Sequence, residues 1–392
     1  MEKKTKVLFL IHTLQVGGAE RVLVNLVNNL DKAKFDVTVM TVVNTGAFRK
    51  TLSTDIKYKT IINLPKKNKK EDDSSGNLLA GKSRLKSAAS KIYQMMWRHK
   101  NLERIYKKYI TEEYDVEVAF LEGIAAKIIA HSNNKRSKKI AWIHIDLLKE
   151  RKTEAFFNDL REEKEIYDKF DKIVAVSNAV RDSFVKKFNY DENKVIVKYN
   201  PIDSEEIKKK ADEERVKKEK FTVCTVGRLS KQKGYMRLLE VVNSLNTDGV
   251  DFNLWIIGVG PEERVMRDYI REKNLENVKM IGYKSNPYPY IKDADLYVCS
   301  SITEGFSTTV SEAVILGTPV IATDCSGMRE ILGDSEYGIV CKNSEEGILG
   351  AMKDIILDKT MYNKYKGKVL ERTKMFDLKR SVENISKILG KR

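Results

Sequence analysis

Short, near-continuous runs of Val, Ile and Leu alternate with helical patterns along all 392 residues, and this rhythm most constrains the fold. In the first half the runs are Val7 to Ile11, Val37 to Val43, Val116 to Leu121, Ile140 to Ile143 and Ile173 to Val176. Runs that are apolar at every position, not every second one, suit strands covered on both faces. Helices between them, such as Ala19 to Leu30, imply right-handed βαβ units and a parallel sheet. The second half repeats the pattern at Phe221 to Val226, Leu254 to Ile257, Val278 to Ile281, Leu296 to Cys299, Pro319 to Thr323 and Ile339 to Cys341. The reading is therefore an α/β chain with two parallel sheets.

Asn200-Pro201-Ile202-Asp203 and the charged stretch to Lys220 separate the halves. A residue before proline is biased away from helix, so the boundary is placed near Pro201. Residues 66 to 75 read as a polar loop. Ser83 to Ile110 reads as one helix, with Leu85, Ala89, Ile92, Met96, Leu102 and Ile105 at helical spacing.

Composition narrows the class. The chain is 42% hydrophobic with 21 Gly and 6 Pro, which excludes collagen-like and disordered sequences. Cys224, Cys299, Cys325 and Cys341 have no CxxC spacing and read as free thiols in a reducing cytoplasm. No apolar run reaches the roughly 18 residues of a membrane helix, so neither a spanning segment nor a signal peptide is expected. Lys and Arg number 72 against 56 Asp and Glu, a net +16, and an anionic partner must be considered: nucleic acid, membrane or a phosphorylated substrate.

Parallel sheets bind ligands beyond the carboxyl ends of their strands. After the first run, Gly17-Gly18-Ala19-Glu20-Arg21 opens a helix, compatible with a phosphate at its N-terminus or with a plain tight turn. After Val226, Gly227-Arg228 and Gln232-Lys233-Gly234 place two cations about a short loop, suited to a diphosphate or merely solvated. Glu304 and Glu312, eight apart and running into a helix, suit an acid–base pair or acceptors for sugar hydroxyls; spacing alone leaves open a helix cap and a solvated helix position. His12 and His144 fall at strand ends, where packed histidines are common, while His99 and His131 have no such context. No His, Cys or Asp cluster suggests a metal site, and no Walker A loop is present.

In order and spacing these motifs resemble the retaining nucleotide-sugar glycosyltransferases of family 4, of the bacterial polysaccharide-assembly type. The resemblance also rests on Ile173-Val174-Ala175-Val176-Ser177, Val197 to Asp203, Ile257-Gly258-Val259-Gly260-Pro261, and the Glu, seven residues, Glu signature from Glu304 to Glu312 followed by Gly317-Thr318-Pro319. It implies the GT-B fold: two Rossmann-like domains facing a cleft, an acceptor domain (1–200), a donor domain (201–370) and a C-terminal helix (371–392) crossing back. It also implies a cytoplasmic enzyme that transfers a hexose, with retention, from a donor expected to be UDP-linked, without metal or cofactor. Arg228 and Lys233 would hold the diphosphate, Glu304 the sugar, Glu312 the ribose. Phe306, Ser307 and Thr308 would supply backbone amides, with Thr309 beside them, and Gly227, Gly282 and Tyr283 would line the nucleotide site. Gly17 and Gly18 would face the diphosphate, His144 the transferred sugar, and Glu122 and His12 the acceptor. Ser307 stands where the family has Gly, and Thr308 and Thr309 where aliphatic residues are frequent.

The charge is not evenly spread. Residues 1–200 are net +14, 201–350 net −5 and 351–392 net +7; residues 66–110 alone are net +9, interleaved with Met95, Met96 and Trp97. That stretch is either a solvated helix or a surface for docking on an anionic membrane that presents a lipid-linked glycan acceptor. A nucleic-acid partner finds no supporting motif. An epimerase or phosphorylase of the same fold remains the alternative, although no pyridoxal-lysine context is visible.

Overall fold

The computed structural model describes residues 3–64, 93–151 and 153–390. They fall into two compact units, one of residues 3–64, 93–202 and 378–390, the other of 203–377. The first unit is built on a seven-stranded sheet: β1 (Thr5–Ile11), β2 (Phe35–Val43), β3 (Lys57–Ile62), β4 (Val116–Ala119), β5 (Lys138–Ile143), β6 (Lys172–Ala175) and β7 (Val195–Val197). Its order is β3-β2-β1-β4-β5-β6-β7, and every pairing is parallel. The second unit carries β8 (Thr222–Val226), β9 (Asn253–Ile257), β10 (Val278–Gly282), β11 (Leu296–Cys299), β12 (Val320–Thr323) and β13 (Ile339–Cys341). These run parallel in the order β10-β9-β8-β11-β12-β13. The expected pair of parallel sheets is therefore present.

The apolar runs form strands because they are covered on both faces. Val7 to Ile11 is wholly buried, and β9 and β11 have no exposed position. Two strands escaped the sequence reading, β3 for want of a continuous apolar run and β7, Val-Ile-Val, because it is too short to stand out. Both are edges: β3, Lys-Tyr-Lys-Thr-Ile-Ile, is mostly half-buried, and β7 is three residues long. An edge strand needs fewer apolar positions, which weakens its signal. Phe120 still donates to Leu10 O at 2.8 Å, but the run expected as strand through Leu121 leaves the sheet at Ala119, so Leu121-Glu122-Gly123 lies in a loop.

The single helix expected over 83–110 is corrected. Residues 83–92 lie outside the described residues, as does the polar loop 66–75. Residues 93–98 are helical, and a new helix, Leu102–Tyr109, starts behind Asn101, whose side chain accepts from Arg104 N at 2.9 Å. The asparagine offers the backbone a cap, and the chain breaks there. The buried face shifts accordingly: Trp97, Leu102 and Tyr106 point inward, whereas Met96 is exposed and Ile105 half-buried.

In the second unit the helix Tyr235–Thr247 lays Leu238, Leu239, Val242 and Leu245 against the sheet, together with Ile348, Met352 and Ile355 of Glu345–Leu357. Helix Lys359–Arg372 belongs to this unit, while Leu378–Ser386 lies in the first, in contact with helix Gly18–Asn29. Each sheet reverses strand order beside its first strand, at β1/β4 and at β8/β11. At such a point the flanking loops diverge and leave room for a ligand.

Candidate active site

In the second unit the loops beyond β8, β9, β11 and β12 pack so closely that glycine is required where they touch. A Cβ on Gly234 (φ +64°) would lie 2.2 Å from Ser300 O, and one on Gly258 (φ +140°) 1.9 Å from Gly227 O. The loop of Lys231–Lys233 and the loop of 300–304 are then joined by hydrogen bonds. Ile302 N donates to Gln232 O at 2.7 Å, Ser300 Oγ to Lys233 O at 2.9 Å, and Gln232 Nε2 to Thr303 O at 3.2 Å. Arg237 clamps the same loop, donating from Nε and Nη2 to Ser300 O at 2.9 and 2.5 Å, and from Nη2 to Ser301 O at 2.7 Å.

The clamp brings two side chains together. Lys233 Nζ lies 2.6 Å from Glu304 Oε1, with both side chains largely covered. Burial alone would lower the lysine pKa, but the adjacent carboxylate reverses this and holds it well above its usual value, so the ammonium stays charged. Gly227 lies beneath: a Cβ there would come within 2.8 Å of Tyr235 Oη and 3.4 Å of the Lys233 stem. Arg228 is exposed, and its guanidinium has no ion pair or hydrogen bond among the described residues.

Glu304 does not cap the following helix. Ser307 does, its Oγ accepting from Val310 N at 3.4 Å, so the hydroxyl present in place of the family's usual glycine acts as an N-cap. The first-turn amides of Thr308 and Thr309 have no intrahelical partner and face outward from the positive end of the helix Thr308–Ile315. Phe306 is buried. Glu312 is buried too, not solvated, and accepts from Tyr288 Oη at 3.4 Å. Gly282 has φ +81° and open space around its Cα, its carbonyl accepts from Gly258 N at 2.8 Å, and Tyr283 beside it is exposed.

In the first unit, His12, Glu122 and His144 follow the adjacent strands β1, β4 and β5. His12 Nε2 lies 3.0 Å from Tyr93 Oη, and burial lowers its pKa. His144 N donates to Glu122 Oε2 at 3.1 Å, while His144 Nε2 is buried with no partner among the described residues. Burial pushes the Glu122 carboxyl up to about 7 and the His144 imidazole down to about 3. Gly17 precedes the helix Gly18–Asn29, and a Cβ there would come within 2.3 Å of Glu20 Oε2. The Glu20 carboxylate thus already stands at this helix N-terminus. Among the described residues no group of three or more His, Cys, Asp or Glu side chains is placed to hold a metal ion.

Glu122 and His144 set opposing pH dependences. Between 4.5 and 7 the native Glu122 holds a proton that the unfolded chain has lost, so its contribution to stability falls as pH rises through that window. Between 3 and 6.5 the unfolded His144 is protonated and the native one is not, so its contribution falls as pH drops. Glu122→Gln removes the first effect. Relative to wild type, the variant should lose about 3 kcal/mol as pH falls from 7 to 4.5, since one proton held by the native state alone is worth about 1.4 kcal/mol per pH unit. Urea unfolding at both pH values measures this, and an unchanged difference between the two proteins contradicts it.

Residues 16–206 match the family described as Glycosyltransferase Family 4, and residues 206–371 the family described as Glycosyl transferases group 1. The chain belongs to the family 4 glycosyltransferases. Over 215 residues this glycosyltransferase is 34% identical to the N-acetylgalactosamine-N,N'-diacetylbacillosaminyl-diphospho-undecaprenol 4-alpha-N-acetylgalactosaminyltransferase of Campylobacter jejuni, a match covering 54% of the chain and 58% of that protein. An uncharacterized glycosyltransferase of Methanocaldococcus jannaschii is 26% identical over 340 residues, 74% of this chain and 83% of that one. Among solved structures, Anabaena HepE in complex with UDP superposes with a TM-score of 0.72 at 18% identity, over 98% of this glycosyltransferase and 99% of HepE. A TarM variant of S. aureus in complex with Fondaparinux, alpha-GlcNAc-glycerol and UDP gives 0.70 at 13% identity, over 98% and 100% of the two chains. These likenesses establish the GT-B fold.

Of the residues singled out in the sequence, the structure joins Lys233 to Glu304 and Glu122 to His144. Arg237 and Ser301 were missed. Arg237 lies three residues beyond Gly234 and Ser301 three before Glu304; one binds backbone carbonyls and the other a carboxylate three residues on, and neither contact has a sequence signature.

Proposed function

We propose that the protein transfers a hexose from a UDP-sugar to a glycan or lipid-linked glycan acceptor, with retention of configuration and without a metal ion, in cell-surface polysaccharide assembly. The observation that carries the reading is the half-buried Lys233–Glu304 pair beside Arg228, which is exposed and unpaired among the described residues, at the β8/β11 switch point. Two cations next to a carboxylate suit a diphosphate and the hydroxyls of the sugar attached to it. In this scheme the anomeric carbon–oxygen bond to the diphosphate breaks and the acceptor oxygen bonds to the same face. The acceptor proton passes to the departing phosphate oxygen. Lys233 and Arg228 oppose the negative charge that grows on the leaving group. Glu312 takes the ribose hydroxyls, Gly227, Gly282 and Tyr283 line the nucleotide site, and the amides of residues 306–309 surround sugar and phosphate.

Glu122, His144 and His12 then belong to the acceptor and sugar side. His144, held neutral by burial, offers a polar nitrogen without adding charge. UDP in the HepE and TarM structures supports the donor class, and the name of the Campylobacter relative supports an alpha linkage and a lipid-linked acceptor. Common UDP-hexoses are alpha-linked, so an alpha product would mean retention. A panel of UDP-, GDP- and other nucleotide sugars, read by thermal shift and donor hydrolysis, tests the donor. A UDP-sugar is expected to stabilise the protein and be turned over with EDTA present, and a response confined to other nucleotides rejects the reading.

The acceptor side also carries the membrane proposal. Met95 is 62% and Met96 55% exposed, with Arg98 and Lys100 following. Trp97, expected with the two methionines, is instead buried against Tyr93 at 6.1 Å between ring centroids. Residues 66–92 of the basic stretch lie outside the described residues. Among the described residues no helix is long and apolar enough to cross a membrane. Co-sedimentation with phosphatidylglycerol liposomes at low salt, lost at high salt, is the expected result. No co-sedimentation at low salt eliminates the docking.

A further inference from the structure

Glu304 is held from one side only. Its Oε1 accepts from Lys233 Nζ at 2.6 Å and from Ser301 Oγ at 2.6 Å, whereas Oε2 accepts no hydrogen bond among the described residues. Two strong donors on one carboxylate oxygen fix the rotation of the group, and the lone pairs of the other are left for a ligand. Ser301 is itself immobile. It is buried, and its carbonyl accepts from Arg237 Nη2 at 2.7 Å, Thr323 Oγ1 at 2.5 Å and Cys325 Sγ at 3.0 Å. Its hydroxyl accepts from Cys299 Sγ at 3.4 Å, which orients the hydroxyl proton toward Glu304.

We propose that Ser301 is a positioning residue that aims Glu304 Oε2 at a donor-sugar hydroxyl. The inference rests on the role given to Glu304 under the proposed function. The two donors on Oε1 are not equivalent. The Lys233 ammonium can turn toward an arriving diphosphate, because it sits on a flexible stem with three protons. The Ser301 hydroxyl stands on a backbone clamped from three directions. Ser301 therefore keeps the carboxylate in register when the ammonium shares its protons with phosphate. A one-oxygen anchor of this kind affects the sugar, not the nucleotide, so its loss should appear in turnover and leave UDP binding unchanged.

The test compares Ser301→Ala, Ser301→Thr, Glu304→Gln and the Ser301→Ala/Glu304→Gln double variant in the full chain. Turnover is read as hydrolysis of the UDP-sugar selected by the donor panel, and nucleotide binding by calorimetry with UDP. Ser301→Ala is expected to lower kcat about 10- to 100-fold with the UDP Kd unchanged. Ser301→Thr, which keeps the hydroxyl, should stay within about threefold of wild type, and its UDP titration reports folding independently of the alanine variant. In the Glu304→Gln background the alanine substitution should add less than about twofold, because the group it positions is gone. Wild-type kcat in Ser301→Ala, or its full effect repeated in the Glu304→Gln background, overturns the proposal while leaving the role of Glu304 intact. Wild-type turnover in Glu304→Gln overturns both.

Discussion

Lys233→Ala is expected to lower sugar transfer about 100- to 1000-fold, the usual cost of removing one pre-placed charge from the path of a developing anion. The substitution removes the cation 2.6 Å from Glu304 and leaves that carboxylate largely buried with Ser301 as its remaining donor. Ground-state binding should weaken as well, since a diphosphate loses a fixed charge, and UDP affinity should fall by about tenfold or more. The loop should survive, because Arg237, Gln232 and Ser300 hold it through backbone atoms that the substitution does not touch. Arg228→Ala, on an exposed side chain, should reduce transfer with no loss of thermal stability. Steady-state rates and UDP calorimetry on both variants measure this. Wild-type transfer in Lys233→Ala would remove the diphosphate assignment.

Gly258→Ala should be the most damaging single methyl group in the second unit. At φ +140° an L side chain is strained in any surroundings, and here the added carbon would lie 1.9 Å from Gly227 O. The backbone cannot simply move aside. Gly258 N donates to Gly282 O at 2.8 Å, Gly227 N to Ile257 O at 3.0 Å and Leu229 N to Val259 O at 3.1 Å, so displacement of any one loop breaks its neighbours. A loss of about 3 to 5 kcal/mol is expected, the size that marks a backbone conflict in a packed region. UDP binding should be lost with it, because Gly227 and Arg228 stand on the displaced segment. Denaturant unfolding and UDP calorimetry provide the measure, and a loss below about 1 kcal/mol would show that the loops are not locked. Gly282→Ala serves as the comparison: its φ is also positive, but the space around it is open, so only the conformational cost applies.

Much of the molecule could be read from the chain. Strands covered on both faces are apolar at nearly every position, so β1, β9 and β11 declare themselves, while β3, broken by polar residues, and the three-residue β7 do not. The motif residues were legible because each sits where a strand ends and a helix begins, and because glycine, lysine and glutamate at those points have few structural reasons to recur in that order. The helix around residue 100 was misread because apolar spacing looks continuous through Asn101, and its break depends on one side chain turning back to cap.

Protonation states and side-chain orientations were not legible. The sequence determined two parallel sheets, the loops that carry the candidate site and an excess of cations in the first 200 residues. Only the tertiary structure decided that Lys233 reaches Glu304 across 71 residues, that Ser301 anchors one oxygen of that carboxylate, and that burial moves Glu122 up to about 7 and His144 down to about 3. The pattern of apolar residues follows from local periodicity and burial. A proton affinity or the direction of a lone pair follows from how much water is excluded and which distant donors arrive, and both are set by packing.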